Sequence, residues 1–248
     1  MPVAAQKNAH ESGPGARPPA VCLLSGGMDS AVCLAQATAD GFAPHALSFR
    51  YGQRHAIELD AAQRVAVELG AAEHRIVDLD LSGLSSSSLV GAAEVEKDRS
   101  DEDLSARIPN TYVPARNTVF LSVALGWAEG LGARDLYLGV NAVDYSGYPD
   151  CRPGFLAAFE DLASAATVAG AERGERFRVR APLLELSKAQ IVERAEALGV
   201  DLGLTHTCYD PLIQDTDGRV LACGRCDACR LRRAGFDAAG RVDPVPYV

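Results

Sequence analysis

The stretch Ala20-Val21-Cys22-Leu23-Leu24-Ser25-Gly26-Gly27-Met28-Asp29-Ser30-Ala31-Val32-Cys33-Leu34 decides how the rest of this chain is read. Its apolar opening reads as a buried strand and its close, from Ala31, as a helix. Between them lies a glycine turn. Adjacent glycines carry no Cβ to hold a ligand off the backbone and reach positive φ without strain, so successive N–H groups can converge on an anion. Ser25 and Ser30 add hydroxyls, and the helix start adds unpaired N–H groups and the positive end of its dipole. Such a site suits phosphate. A Gly-Gly pair alone is equally what a structural tight turn uses; the whole string from Ser25 to Ser30 behind a strand is more specific. It is no Walker loop, whose spacing and lysine are missing.

Outward from the loop, the helix is expected to reach about Asp40, with Gly41 stopping it, and Pro44 to Phe49 supplies a second strand. Strand, helix and strand make a parallel unit, whose ligands collect at the carboxyl ends of the strands. Arg50 to His55 share that rim, where Arg54 reads either as part of a solvated helix start or as a substrate or phosphate contact. A helix with apolar positions Ile57, Ala61, Val65 and Leu69 follows, then a strand from Arg75 to Leu79. Residues 80–109, rich in Ser, Asp and Glu, show little periodicity and leave open a mobile lid or a disordered insertion. Helix and strand alternate again: a helix from Val119 to about Glu129, a strand from Arg134 to Val140, helical spacing in 154–169 and a strand from Arg178 to Pro182. Ser187 and Gln190 form a capping box for a last helix that Gly199 ends. The fold class is α/β, a parallel sheet flanked by helices.

The 248 residues, 48% of them hydrophobic, suffice for one sizeable core with a small appended module. Acidic residues outnumber basic ones, 33 to 24, for a net charge of −9, which argues against a large nucleic-acid footprint and for a small-molecule substrate. No apolar run is long enough to span a membrane and no secretory signal is evident, so a cytoplasmic protein is expected. Residues 1–19, rich in Ala, Gly and Pro, read as a disordered extension.

Several polar groups fall on the expected rim. Pro114 holds Val113 extended, so Arg116 and Asn117 enter the first turn of a helix, where a cation runs against the dipole. An arginine placed there without local benefit points to anion binding. Lys188 sits the same way, and either reaches a phosphate or stays solvated. The segment from Asn141 to Arg152 carries Asp144, Asp150, Tyr145, Tyr148 and Arg152. Tyrosines can stack on a flat heterocycle, carboxylates can accept from its amine and ring N–H, and Arg152 can fork onto an acidic substituent.

Four of the seven cysteines crowd together: Cys208, then Cys223, Cys226 and Cys229. Four sulfurs make a closed tetrahedral Zn²⁺ site, which is structural; an iron–sulfur cluster or redox thiols are the alternatives. Arg225, Arg230, Arg232 and Arg233 are expected to neighbour its formal charge of about −2.

The string from Ser25 to Ser30 resembles the pyrophosphate loop of the N-type ATP pyrophosphatases. Together with Val113-Pro114-Ala115-Arg116-Asn117 and Tyr148-Pro149-Asp150-Cys151-Arg152-Pro153, the chain from about residue 20 to residue 236 resembles the 7-cyano-7-deazaguanine synthases of the queuosine pathway. That resemblance implies a Rossmann-like (adenine nucleotide alpha hydrolase-like) domain over 20–204, a zinc-binding module over 205–236 and a tail over 237–248. It implies ATP and Mg²⁺ at Leu24 to Leu34 (Leu24, Ser25, Gly26, Gly27, Met28, Asp29, Ser30, Ala31, Val32, Cys33 and Leu34). Lys188 and Arg116 become the candidate catalytic cations, and Arg54, Asn117, Asp144, Tyr148, Asp150 and Arg152 the candidate contacts to 7-carboxy-7-deazaguanine. It also implies ammonia as the nitrogen source, adenylated intermediates and a homodimer. Two departures stand out: Ala115 where the family commonly has glycine, and a longer gap after Cys208. A tRNA-modifying ATP pyrophosphatase and a non-catalytic zinc-ribbon scaffold are the competing readings.

Overall fold

A computed structural model of the chain describes residues 15–53, 57–91, 93–100, 108–142, 148–213 and 220–248. The five-stranded parallel sheet has the order β3-β2-β1-β4-β5. Its strands are β1 (Pro19–Leu23), β2 (Ala43–Arg50), β3 (Glu73–Asp78), β4 (Asp135–Tyr137) and β5 (Arg178–Arg180). Helix α1 (Met28–Ala39) connects β1 to β2, and α2 (Ile57–Glu68) connects β2 to β3. On the other half, α3 (Arg116–Leu131) leads into β4, while α4 (Pro153–Ala166) and α5 (Val168–Arg173) lead into β5. After β5 come α6 (Lys188–Ala197), a two-stranded hairpin of β6 (Leu212–Ile213) and β7 (Val220–Leu221), and α7 (Asp227–Ala238).

Alternation along β1 divides the core. Val21 and Leu23 face one way, into a cluster with Leu121 and Leu125 of α3 and Leu156 and Phe159 of α4. Ala20 and Cys22 face the other, toward Val32 and Leu34 of α1 and Ile191 and Val192 of α6. Both faces of the sheet are thus covered, as an all-parallel sheet requires. Because β2 lies on one side of β1 and β4 on the other, the chain order reverses at β1, and a crevice opens at the strands' carboxyl ends. The turn from Leu24 to Gly27 occupies that point.

The capping box is formed: Ser187 Oγ accepts the Gln190 N–H at 3.3 Å and Gln190 Oε1 accepts the Ser187 N–H at 2.9 Å. At the head of α3, Ala115 adopts φ 55°, a left-handed conformation that glycine enters without strain.

The described part of 80–109 is packed and not a disordered insertion. Ser87, Ser88, Leu89, Val90 and Val95 are buried, and Arg99 pairs with Asp227 at 2.6 Å. The chain end is likewise fastened: Ala222 donates its N–H to Pro246, and Val248 donates to Ala222. Among the described residues no helix is long and apolar enough to cross a membrane.

Candidate active site

The turn after β1 is held by its own side chains and by two neighbouring elements. Ser30 Oγ donates to the Gly27 carbonyl at 3.0 Å and accepts the Ser25 N–H at 3.2 Å, while Ser25 Oγ lies 3.1 Å from it. Gly26 has φ 82°, and a Cβ there would lie 2.3 Å from the Glu58 carbonyl oxygen and 2.7 Å from the Ala62 nitrogen. Helix α2 therefore packs directly on the turn, and only glycine fits. The Gly26 carbonyl accepts the His206 N–H at 2.8 Å. On the far side a Cβ at Gly139 would come within 3.0 Å of the Ser30 nitrogen, so the segment after β4 presses on the start of α1.

Asp29, in the first turn of α1, gathers three elements. Its Oδ2 accepts from Lys188 Nζ at 2.6 Å and from Asn141 Nδ2 at 3.1 Å. Its Oδ1 is buried with no hydrogen-bond partner among the described residues. A buried carboxylate oxygen left unsatisfied is costly, and a Mg²⁺ bound through one carboxylate and substrate phosphates is a cation it suits.

A cavity of about 230 Å³ opens beside this loop. Leu24, Ser25, Gly27, Met28, Asp29 and Ser30 line one side. The other side is aromatic: Phe49 stacks on Phe120 at 4.0 Å between centroids with 5° between planes, and Tyr51 lies beside them. The Arg116 guanidinium sits 5.9 Å from the Tyr51 ring centroid. Glu58, from the first turn of α2, also lines the cavity. Burial pushes its carboxyl up to about 7, and the positive charge of Arg116 offsets part of that rise. Burial, with Glu58 second, pushes the Tyr51 hydroxyl up to about 12, so it stays neutral.

Of the residues singled out from sequence, Arg116, Asn117 and Tyr148 reach the cavity wall, and Lys188 joins through Asp29. Asp150 stands behind that wall. It accepts the Asn117 N–H at 2.9 Å, and the Asn117 amide donates back to the Asp150 carbonyl at 3.1 Å, fixing the first turn of α3. Arg152 is exposed at the N-cap of α4 and is not among the residues lining the cavity. Ala31, Val32, Cys33 and Leu34 are fully buried in the core of α1. Arg54 and Asp144 lie outside the described residues. Sequence reasoning passed over Glu58, Tyr51, Phe49 and Phe120 as site residues, together with His206 and Thr207. An acidic residue in a first helical turn is ordinary, and the aromatic pair joins β2 to α3 across some seventy residues.

The sulfurs of Cys208, Cys223, Cys226 and Cys229 all lie within 4.8 Å of one another and are buried. Backbone N–H groups point at them: Cys223 N donates to Cys208 Sγ at 3.2 Å, and Cys226 N to Cys223 Sγ at 3.3 Å. Four converging sulfurs supported by amide donors fit tetrahedral Zn²⁺. The expected arginine collar differs in detail. Arg225 forks onto Asp98, Arg232 onto Asp243 at 2.8 and 2.9 Å, and Arg233 lies over the Tyr247 ring. These side chains brace the module's scaffold, and their side-chain hydrogen bonds go to carboxylates and main-chain or hydroxyl oxygens.

The four-cysteine cluster adjoins the phosphate loop. The segment from His206 to Tyr209 contains Cys208 of that cluster and contributes His206, Thr207 and Tyr209 to the cavity wall. The model of the family described as queuosine biosynthesis protein QueC matches residues 19–240. This chain belongs to the QueC family. QueC relatives of similar sequence include the 7-cyano-7-deazaguanine synthase of Solidesulfovibrio magneticus, 58% identical over 92% of this chain and 95% of that protein. The 7-cyano-7-deazaguanine synthase of Geotalea uraniireducens is 55% identical over 92% of this chain and 96% of its own. Among solved structures, NMN synthetase from Francisella tularensis is a weaker likeness, with a TM-score of 0.45 and 16% identity over 78% of this chain and 66% of that one. The QueC match spans both the phosphate loop and the four cysteines.

Proposed function

We propose that this QueC protein converts 7-carboxy-7-deazaguanine and ammonia to 7-cyano-7-deazaguanine at the expense of ATP. The observation that carries the reading is the juxtaposition, in one cavity, of an anion-binding turn, the Asp29–Lys188 pair and an arginine over an aromatic wall. The turn from Ser25 to Ser30 and the start of α1 hold the triphosphate, with N–H groups and the helix dipole facing it. Asp29 Oδ1 would hold Mg²⁺, which when bound offsets charge on the departing diphosphate. Lys188, already within 2.6 Å of Asp29, supplies a second positive charge at the same place.

Arg116 receives the substrate carboxylate, in place of the exposed Arg152. Its position beside Tyr51 aligns a carboxylate oxygen for attack on the α-phosphorus of ATP, giving an acyl adenylate and diphosphate. Ammonia then displaces AMP to form the amide. The amide oxygen attacks a second ATP, and loss of AMP with a proton leaves the nitrile. No protein nucleophile is needed; orientation and electrostatics do the work. Zinc, when bound, ties the segment from His206 to Tyr209 to the four-cysteine centre and so keeps it against the loop.

The test is to incubate zinc-loaded protein with 7-carboxy-7-deazaguanine, ATP, Mg²⁺ and ammonium and to follow products by mass spectrometry. Nitrile with AMP is expected. AMP with the amide as the end product would reduce the reading to a single amidation, and no AMP at all would overturn it.

A further inference from the structure

The cavity holds one carboxylate that the reaction above does not use. Asp29 is engaged by Lys188 and Asn141, but Glu58 has no hydrogen-bond partner and no ion pair within 4 Å among the described residues. Its place is fixed, because its own carbonyl lies against Gly26 and its helix is packed on the phosphate loop. Tyr51 and Arg116 of α3 line the same cavity, and the Arg116 charge acts on Glu58. A half-buried carboxylate facing an aromatic-walled space, with a cation in the same cavity, is an arrangement awaiting a ligand with hydrogen-bond donors.

We propose that Glu58 reads the guanine-like edge of the substrate, its two oxygens accepting the ring N1–H and the 2-amino group while Arg116 takes the carboxylate on the other ring. This rests on the substrate reading above and assigns the residue that sets purine specificity within it. The chemistry discriminates between the two purines that must enter the site. A carboxylate is acceptor-only, and a 2-amino-6-oxo edge offers two adjacent donors. The Watson–Crick edge of ATP's adenine sets an acceptor beside a donor, so one carboxylate oxygen would face a lone pair. Phe49 and Phe120, stacked on each other, and Tyr51 bound the space in which a flat bicycle lies between the two charged groups.

The test uses zinc-loaded full-length protein and isothermal titration with three probes: 7-carboxy-7-deazaguanine, its analogue lacking the 2-amino group, and a non-hydrolysable ATP analogue with Mg²⁺. Wild-type protein should bind the deamino analogue about 10- to 100-fold more weakly than the substrate, the discrimination expected of a lost bidentate contact. Glu58→Gln should weaken the substrate by a similar factor, erase most of the difference between the two purines and leave the ATP analogue unchanged. Glu58→Asp should fall between. Equal binding of the two purines by wild-type protein would overturn the proposal without any variant. So would a Glu58→Gln variant that loses the ATP analogue while keeping the substrate, since Glu58 would then face adenine. If wild-type protein binds the ATP analogue but neither purine, the substrate reading fails and the proposal with it.

Discussion

Replacing Glu58 by Gln should flatten the pH dependence of stability by an amount the structure sets. The ordinary glutamate value is 4.5, and burial lifts Glu58 to about 7 in the folded protein. Between those values the native state keeps a proton that the unfolded chain has released, so stability falls as pH rises through that window. Each pH unit is worth about 1.36 kcal/mol, which makes the loss roughly 3 kcal/mol by pH 8. Burial is the larger cause; the Arg116 charge opposes it and keeps the value from rising further. Urea denaturation at pH 5 and pH 8, on wild-type and Glu58→Gln proteins, isolates the effect. Contributions from all other groups, the zinc thiolates included, cancel in the double difference provided that the m-values agree. The wild-type decrease between the two pH values should exceed the variant's by about 2.5 kcal/mol, since pH 5 already lies just above the unfolded value. Parallel profiles would refute the reasoning, because Glu58 would then titrate as an exposed carboxylate and could not be the enclosed group proposed to read the purine edge.

Gly26→Ala and Gly41→Ala form a matched pair: both sites have positive φ, 82° and 93°, but the first Cβ would collide with α2 and the second meets nothing within 4 Å. Thermal unfolding should show about 1 kcal/mol lost at Gly41 and at least twice that at Gly26, with loss of ATP binding only at Gly26. Ala115→Gly relieves a left-handed alanine that is exposed and packs little, so it should raise stability by up to about 1 kcal/mol in the same assay. Removing zinc with a chelator should release the segment that donates the His206 N–H to Gly26, weakening ATP by about fivefold for the one hydrogen bond lost; X-ray absorption of the loaded protein should show four sulfurs at about 2.3 Å.

The parts of this protein that were legible in sequence are those encoded by neighbours along the chain. The turn from Ser25 to Ser30, the capping box of Ser187 and Gln190 and the cysteine triplet are each spelled out within a few residues, and each is formed as read. The sheet followed from alternating apolar runs, because parallel strands buried on both faces read as continuous hydrophobic stretches. What escaped was whatever depends on distant elements meeting. Arg152 sits in a polar string that resembles a binding segment, yet the helix start at Pro153 leaves it exposed, while Asp150 turns inward to hold Asn117. Glu58 looks like a routine first-turn acid until α2 is laid on Gly26. Residues 80–109 show little periodicity because the burial of their described part comes from distant elements: Leu81, Leu89 and Val90 join the main core, Val95 joins the four-cysteine cluster, and Arg99 pairs with Asp227 and Lys97 with Asp210, more than a hundred residues away.

The central claim is that substrate oxygens attack the α-phosphorus of ATP in this cavity, and 7-carboxy-7-deazaguanine labelled with ¹⁸O at both carboxylate positions tests it most directly. Mass spectrometry of the nucleotide products should find two AMP molecules per nitrile, each carrying one ¹⁸O, and no label in diphosphate or water. Label in inorganic phosphate alongside ADP, or unlabelled AMP, would contradict the account, for the oxygen would then have left by another route.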